Sequence, residues 1–202
     1  MGIVKRIIDF VMEILETIAF VGSIFIAVYL FIMQPNQVKG ASMVPTFISG
    51  DYIFTSKVTY KMRPIQRGDI VVFKEPRRGE IEYIKRVIGL PGDQIMVENG
   101  TVYLNNSPIQ ESYINLSTPV PPNSFLQEGI TITVPAEHIF VMGDNREVSS
   151  DSREFGPVRI SSIIGQVFYR YFPFNKIGGM KNPLPQNLRT QNFLHYLLTL
   201  KS

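Results

Sequence analysis

Cysteine is absent from the 202 residues, which excludes disulfides, a thiol nucleophile and any thiolate-ligated metal. Histidine is nearly absent. His138 and His195 are the only two, too few for a dedicated metal cage, and neither sits in a motif-like setting for a catalytic base. No metal and no cofactor is expected. Blocks of like charge are missing as well. The net charge of +3 is dispersed along the chain, so nucleic acid is not an expected partner, although contact with anionic lipid headgroups stays open. There is no internal repeat and no low-complexity tract, and helical periodicity of any length is missing between residue 34 and the C-terminal tail.

What the chain does have is one long apolar run, from residue 17 to 33. As a helix it would span about 25 Å, slightly short of a hydrocarbon core of roughly 30 Å. Ile14 and Leu15 lengthen it if Glu16 snorkels to the interface. A buried core helix is one alternative. A signal peptide cleaved near Val38-Lys39-Gly40 is another, but the run is long for such a segment, which favours a retained anchor. Lys5 and Arg6 precede the run and only Lys39 follows closely, placing the N-terminus on the cytoplasmic side. The expected division is a cytoplasmic stub plus single transmembrane anchor over 1–34 and one extracytoplasmic domain over 35–202. A hydrophobic content of 45% suits one span plus a globular remainder.

Past residue 34 the pattern changes to period two with turn punctuation, which predicts strands over 51–55, 69–73, 130–134 and 138–142. Ile95 and Val97 alternate up to Asn99-Gly100, and Val102 and Leu104 resume the alternation. That is a hairpin signal, because both turn residues must accept positive φ. Residues 107–127, with Pro108, Pro119, Pro121 and Pro122, read as a long loop inserted in the sheet. The domain is mainly β. The tail 188–200 has apolar residues at helical spacing and reads as a short amphipathic helix that lies on a membrane or packs on the domain.

Three segments carry chemistry. The first is Gly40-Ala41-Ser42-Met43-Val44-Pro45-Thr46, a serine among small residues on a constrained turn. The stretch from Met33 to Ser42 reaches at most about 30 Å when extended, which keeps the hydroxyl near the bilayer. A serine needs a base, and the second segment, 82–93, offers Lys85. In a strand Lys85 shares a face with Tyr83 and Val87, amid Ile84 and Ile88. Lowering a lysine from about 10.4 to about 8 requires about 3 kcal/mol of desolvation, within reach of burial. The plainer reading of Lys85 is a surface lysine paired with Glu82. The third segment, 143–156, is dense in polar groups and opposite charges, with Asp151–Arg153 or Asp144–Arg146 as ion pairs. It also offers Ser149 as a second hydroxyl to orient a lysine.

Taken together, Ser42 in GASMVPT, Lys85 in YIKRVIGLPGD and the segment GDNREVSSDSREFG resemble bacterial type I signal peptidase, in the order that family has them behind an N-terminal anchor. The resemblance implies a coiled antiparallel β-sheet domain and a Ser/Lys dyad protease that removes signal peptides from secreted preproteins, cutting after small residues at the −3 and −1 positions. It implies Ser42 as nucleophile, Lys85 as general base, Ser149 as the group orienting the lysine, and the Ser42 N–H as oxyanion donor. Asp151, Arg153, Asp144 and Arg146 would support the site, and Val38, Met43, Tyr83 and Ile84 would line the shallow pockets. One branch of the family has an oxyanion-assisting serine two residues before the nucleophile. That position here is Gly40, leaving backbone or water as the second donor. The implied partners are signal peptides of exported preproteins, membrane lipid and the secretion translocon, at the plasma membrane or inner membrane. A self-cleaving repressor would lack the membrane segment, and the endoplasmic-reticulum branch has histidine where Lys85 stands. A decayed peptide-binding domain would not be expected to keep Ser42, Lys85 and Ser149 together.

Overall fold

The computed structural model describes residues 2–77, 79–114 and 116–190. The chain opens with one long helix, α1 (Gly2–Phe31), with apolar side chains exposed along its length and none buried. Its length and composition suffice to cross a membrane. It starts well before the apolar run and ends inside it. Ile32 leaves the helix and Met33 already belongs to strand β1 (Met33–Gln37), because its backbone pairs with Ser56 of β2 (Tyr52–Ser56).

The strands that follow are β3 (Ile70–Lys74), β4 (Glu82–Gly89), β5 (Gln94–Glu98), β6 (Thr101–Leu104), β7 (Ser107–Pro108), β8 (Ile132–Thr133), β9 (His138–Met142), β10 (Val158–Arg159), β11 (Ile163–Phe172) and β12 (Gly178–Gly179). Every pairing is antiparallel. The larger sheet runs β1-β2-β11-β3-β4-β9-β10, with β12 on β11, and the smaller runs β7-β6-β5-β8. Register shifts where β11 meets β2 and β3, and where β4 meets β9, mark bulges that bend the large sheet.

Most of the expected strands are present within a residue. The β5–β6 hairpin turns on Asn99 (φ 50) and Gly100 (φ 73), both in the left-handed region such a turn demands. The 130–134 strand shrinks to β8, which reaches only the start of β5 (Gln94↔Thr133, Ile95↔Ile132). Apart from β7, the 107–127 segment forms no regular element among its described residues. Of the expected 188–200 helix only the first residues are described, in a one-turn helix (Gln186–Arg189); His195 and the rest of that tail lie outside the described residues.

Side chains alternating across strands feed three buried clusters. In β9, Phe140 and Met142 join the cluster beneath the small sheet, while Ile139 and Val141 join another with Val71, Phe73 and Val87. The third holds Val38, Met43, Phe47, Ile53, Ile70, Val72 and Val167. Each fully buried side chain of this size contributes about 1.5–3 kcal/mol relative to exposure. Strand β4 is thus clamped from both faces, which fixes the position of Lys85.

Candidate active site

The serine turn is fixed by its neighbours. Gly40 adopts φ +88, and the chain folds back so that Val44 N–H donates to Ala41 O (3.2 Å) and Phe47 N–H to Met43 O (2.8 Å). Met43 and Phe47 are buried on either side of the bend, leaving the half-buried Ser42 to project outward. Asn145 holds the turn from across the site, its backbone N–H donating to Ser42 O (3.0 Å) and its side-chain amide to Ala41 O (3.2 Å). The Ser42 N–H finds no acceptor among the described residues.

Ser42 Oγ lies 2.7 Å from Lys85 Nζ, although the residues are far apart in sequence. Lys85 is 4% exposed. Burial lowers its pKa from 10.5 to about 8; the Asp151 and Asp144 carboxylates pull it back up, and the Arg153 guanidinium pushes it down. The ammonium lies 5.1 Å from the centre of the Tyr83 ring, on the face the strand alternation assigns to both. The surface pairing with Glu82 does not occur. Glu82 is exposed and accepts instead from Asn36 Nδ2 (3.3 Å).

The 143–156 segment forms a buried polar scaffold. Asp151 caps the short helix Ser152–Phe155 and takes the Arg153 guanidinium on both oxygens (2.9 and 2.8 Å), as well as the Gly143 N–H (3.0 Å). Asp144 and Arg146 do not pair with each other. Asp144 receives Arg86 bidentately (2.8 and 2.6 Å) and Thr46 Oγ1 (2.5 Å). Arg146 reaches Glu111, Thr118 Oγ1 (2.6 Å) and Gly143 O (2.9 Å). A buried guanidinium needs several acceptors at fixed angles; Glu111, Thr118 and Gly143 supply them to Arg146, while Arg86 occupies both oxygens of Asp144. Through Arg146 and through Arg153, which donates to Pro119 O (2.6 Å), the 107–127 loop is tied to the scaffold.

Ser149 Oγ is buried and without a hydrogen-bond partner among the described residues. It sits over Gly143, where a Cβ would come within 2.2 Å of Ser149 Oγ and 2.5 Å of Ser42 O. The absence of a side chain at Gly143 is what lets the two serine segments approach.

Beside Ser42 and Lys85 runs a cleft of about 800 Å³ lined by 35–42 on one wall and 81–85 on the other, with Ile53, Val72, Val148 and Ser150. Val38, Tyr83 and Ile84 line it. Met43 does not, since at 1% exposure it is packed into the core below. Among the described residues β1 pairs only with β2, and β4 pairs with β9 only from Arg86 onward, so both walls present an unpaired strand edge. Asn36, Gln37 and Ile81 belong to these walls by topology alone, and nothing in their sequence pattern singles them out. No metal-ligating cluster occurs among the described residues.

Residues 11–172 match the family model described as signal peptidase, peptidase S26. A signal peptidase I of Bacillus caldolyticus is 41% identical over 154 residues, covering 73% of this chain and 84% of that protein. A signal peptidase IB of Staphylococcus aureus (strain COL) is 33% identical over 185 residues, covering 85% of this chain and 96% of that one. A crystal structure of a signal peptidase I from Enterococcus faecalis V583 shares 36% sequence identity, covers 52% of this chain and 97% of its own, and superposes with a TM-score of 0.43.

Proposed function

The chain belongs to the signal peptidase family, peptidase S26, and we propose that it cleaves signal peptides from exported preproteins as a membrane-bound Ser42/Lys85 dyad enzyme. The observation that carries this reading is the 2.7 Å contact between the Ser42 hydroxyl and a buried lysine amine whose pKa is lowered to about 8. A neutral amine is present at useful levels near neutral pH only when its pKa is held down in this way.

In this reading a preprotein lies extended between the open edges of β1 and β4, held by main-chain hydrogen bonds, with alternate side chains directed to the walls. The shallow lining of Val38, Tyr83 and Ile84 supports a preference for small residues at −1 and −3. Neutral Lys85 takes the proton of Ser42, whose oxygen attacks the scissile carbonyl. The oxyanion forms against the unengaged Ser42 N–H, with Gly40 offering no side-chain donor. The Lys85 ammonium protonates the departing amine, leaving an acyl ester on Ser42. A water then gives its proton to Lys85 and its oxygen to the acyl group, and Ser42 recovers its proton as the signal peptide leaves. Ser149 carries a buried hydroxyl with its bonding capacity unspent, available to orient the amine as the charge moves. Asp144, Arg146, Asp151 and Arg153 hold the scaffold.

Helix α1 supports the anchored reading, with 1–34 as cytoplasmic stub and span and 35–202 as the extracytoplasmic domain. Exposed Tyr52, Phe168, Phe172 and Phe174 on β2, β11 and beyond support contact with lipid. Cleavage of a preprotein by the full chain in detergent tests the dyad. Ser42→Ala and Lys85→Ala should each abolish it with the fold intact, and a Lys85→Ala enzyme that still cleaves would sink the mechanism.

A further inference from the structure

The last carbonyls of an α-helix have no partner within the helix. At the end of α1 another part of the chain supplies them. Lys57, the residue after β2, donates its backbone N–H to Ile32 O (2.8 Å) and its ammonium to Tyr29 O (3.2 Å) and Leu30 O (3.4 Å). The same ammonium sits 5.5 Å from the centre of the Tyr29 ring. The charge therefore stands at the negative end of the helix dipole and satisfies carbonyls that would be costly to leave bare at the edge of a bilayer.

The connection on the other side is equally short. Ile32 alone separates the end of α1 from β1, and its N–H still bonds to Val28 O (2.9 Å). Met33 is already in register with Ser56, the neighbour of Lys57. Strand β2 is itself fixed between β1 and β11. The anchor and the sheet are thus joined by one covalent step and one lysine cap, with no stretch of free linker.

We propose that Lys57 is a positioning residue: by holding the terminal carbonyls of α1 it locks the anchor to the sheet and fixes the height and tilt at which the cleft meets a membrane-bound preprotein. This rests on the membrane-bound reading given above. A soluble peptide diffuses into the cleft at any angle and gains nothing from the lock. A preprotein whose own apolar segment lies in the bilayer offers its scissile bond at a fixed depth and needs the cleft at that depth.

The absence of native cysteine allows a direct test in the full chain. Spin labels on Ser23→Cys in α1 and Ser161→Cys on the domain should give one narrow distance distribution in detergent. Lys57→Met should broaden it and Lys57→Arg should restore it. With Lys57→Met, kcat/KM for a soluble signal-sequence peptide should be unchanged. Cleavage of a preprotein in phosphatidylcholine–phosphatidylglycerol vesicles should fall about fivefold, the effect of losing a charge at a helix C-terminus. A distance that stays narrow in Lys57→Met overturns the proposal, and so does an equal loss on both substrates, which would make Lys57 a support of the domain alone. Should the wild-type chain fail to float with the vesicles, the membrane reading falls, while the distances in detergent still judge the lock.

Discussion

Replacing Lys85 by methionine should abolish cleavage and stabilise the protein. The ammonium is held in the fold although its proton affinity there is reduced from 10.5 to about 8. In the unfolded chain it is hydrated and ordinary. At pH 7 both states are mostly protonated, so the fold bears the whole difference, about 3 kcal/mol. Methionine keeps the bulk of the side chain without the charge. Loss of the contact to Ser42 offsets about 1 kcal/mol of the gain. The net gain is about 2 kcal/mol, or about 4–8 °C in Tm for a domain of this size. Between pH 8 and 10.5 the unfolded wild-type chain holds a proton that the folded chain has released. Wild-type stability therefore rises with pH through that window, and the advantage of Lys85→Met should vanish by pH 10.5. Urea titration of the full chain in detergent reads this through tyrosine fluorescence, there being no tryptophan. A Lys85→Met protein less stable than wild type at pH 7, or an advantage independent of pH, would refute the claim that the amine is a desolvated base.

The same lowered pKa predicts that kcat/KM for a signal-sequence peptide rises tenfold per pH unit below about 8 and levels off above it; a limb near 10.5 would show a hydrated lysine. Gly143→Ala puts a Cβ within 2.2 Å of Ser149 Oγ and 2.5 Å of Ser42 O. It should lower kcat by about 100-fold through displacement of Ser42, and steady-state kinetics with unaltered turnover would contradict the packing. Asp93→Ala strands the Arg67 guanidinium, which Asp93 holds at 2.7 and 2.6 Å with both side chains fully buried. Urea denaturation should show a loss of about 3–5 kcal/mol, and a loss under 1 kcal/mol would mean that water reaches the site.

What could be read in the sequence was whatever a short window contains. Asn99-Gly100 announces its own turn, and Lys85 amid Tyr83, Ile84 and Val87 announces a lysine in apolar surroundings. Strand β11 escaped because its alternation is masked. Only Gly165 and Val167 are buried in it, and the opposite face carries aromatics that stack on β2. Strand β1, Met-Gln-Pro-Asn-Gln, has no strand-like composition at all. It is extended because β2 templates it, and Pro35 is tolerated because the far edge is unpaired. The ion pairs divide in the same way. Asp151–Arg153 closes within one helical turn and is visible locally, whereas Arg86–Asp144 and Arg146–Glu111 depend on β4, β9 and the 107–127 loop meeting in space. Burial of Met43 beneath the cleft likewise follows from the bend at Gly40, not from its place beside Ser42.

Open strand edges recruit any extended chain, and most proteins blunt them. The edges of β1 and β4 instead line opposite walls of one cleft, spanned at one point by the Asn36–Glu82 hydrogen bond. A segment already folded into a helix or hairpin has spent main-chain donors and acceptors on itself and cannot pair with both edges at once. What fits is a single chain with its main-chain donors and acceptors still free. Selection would then fall on conformation as much as on side chains, and small residues already committed to a finished structure would go unseen. On the proposed function, maturation would become a matter of timing, with the cut made before the residues behind it fold.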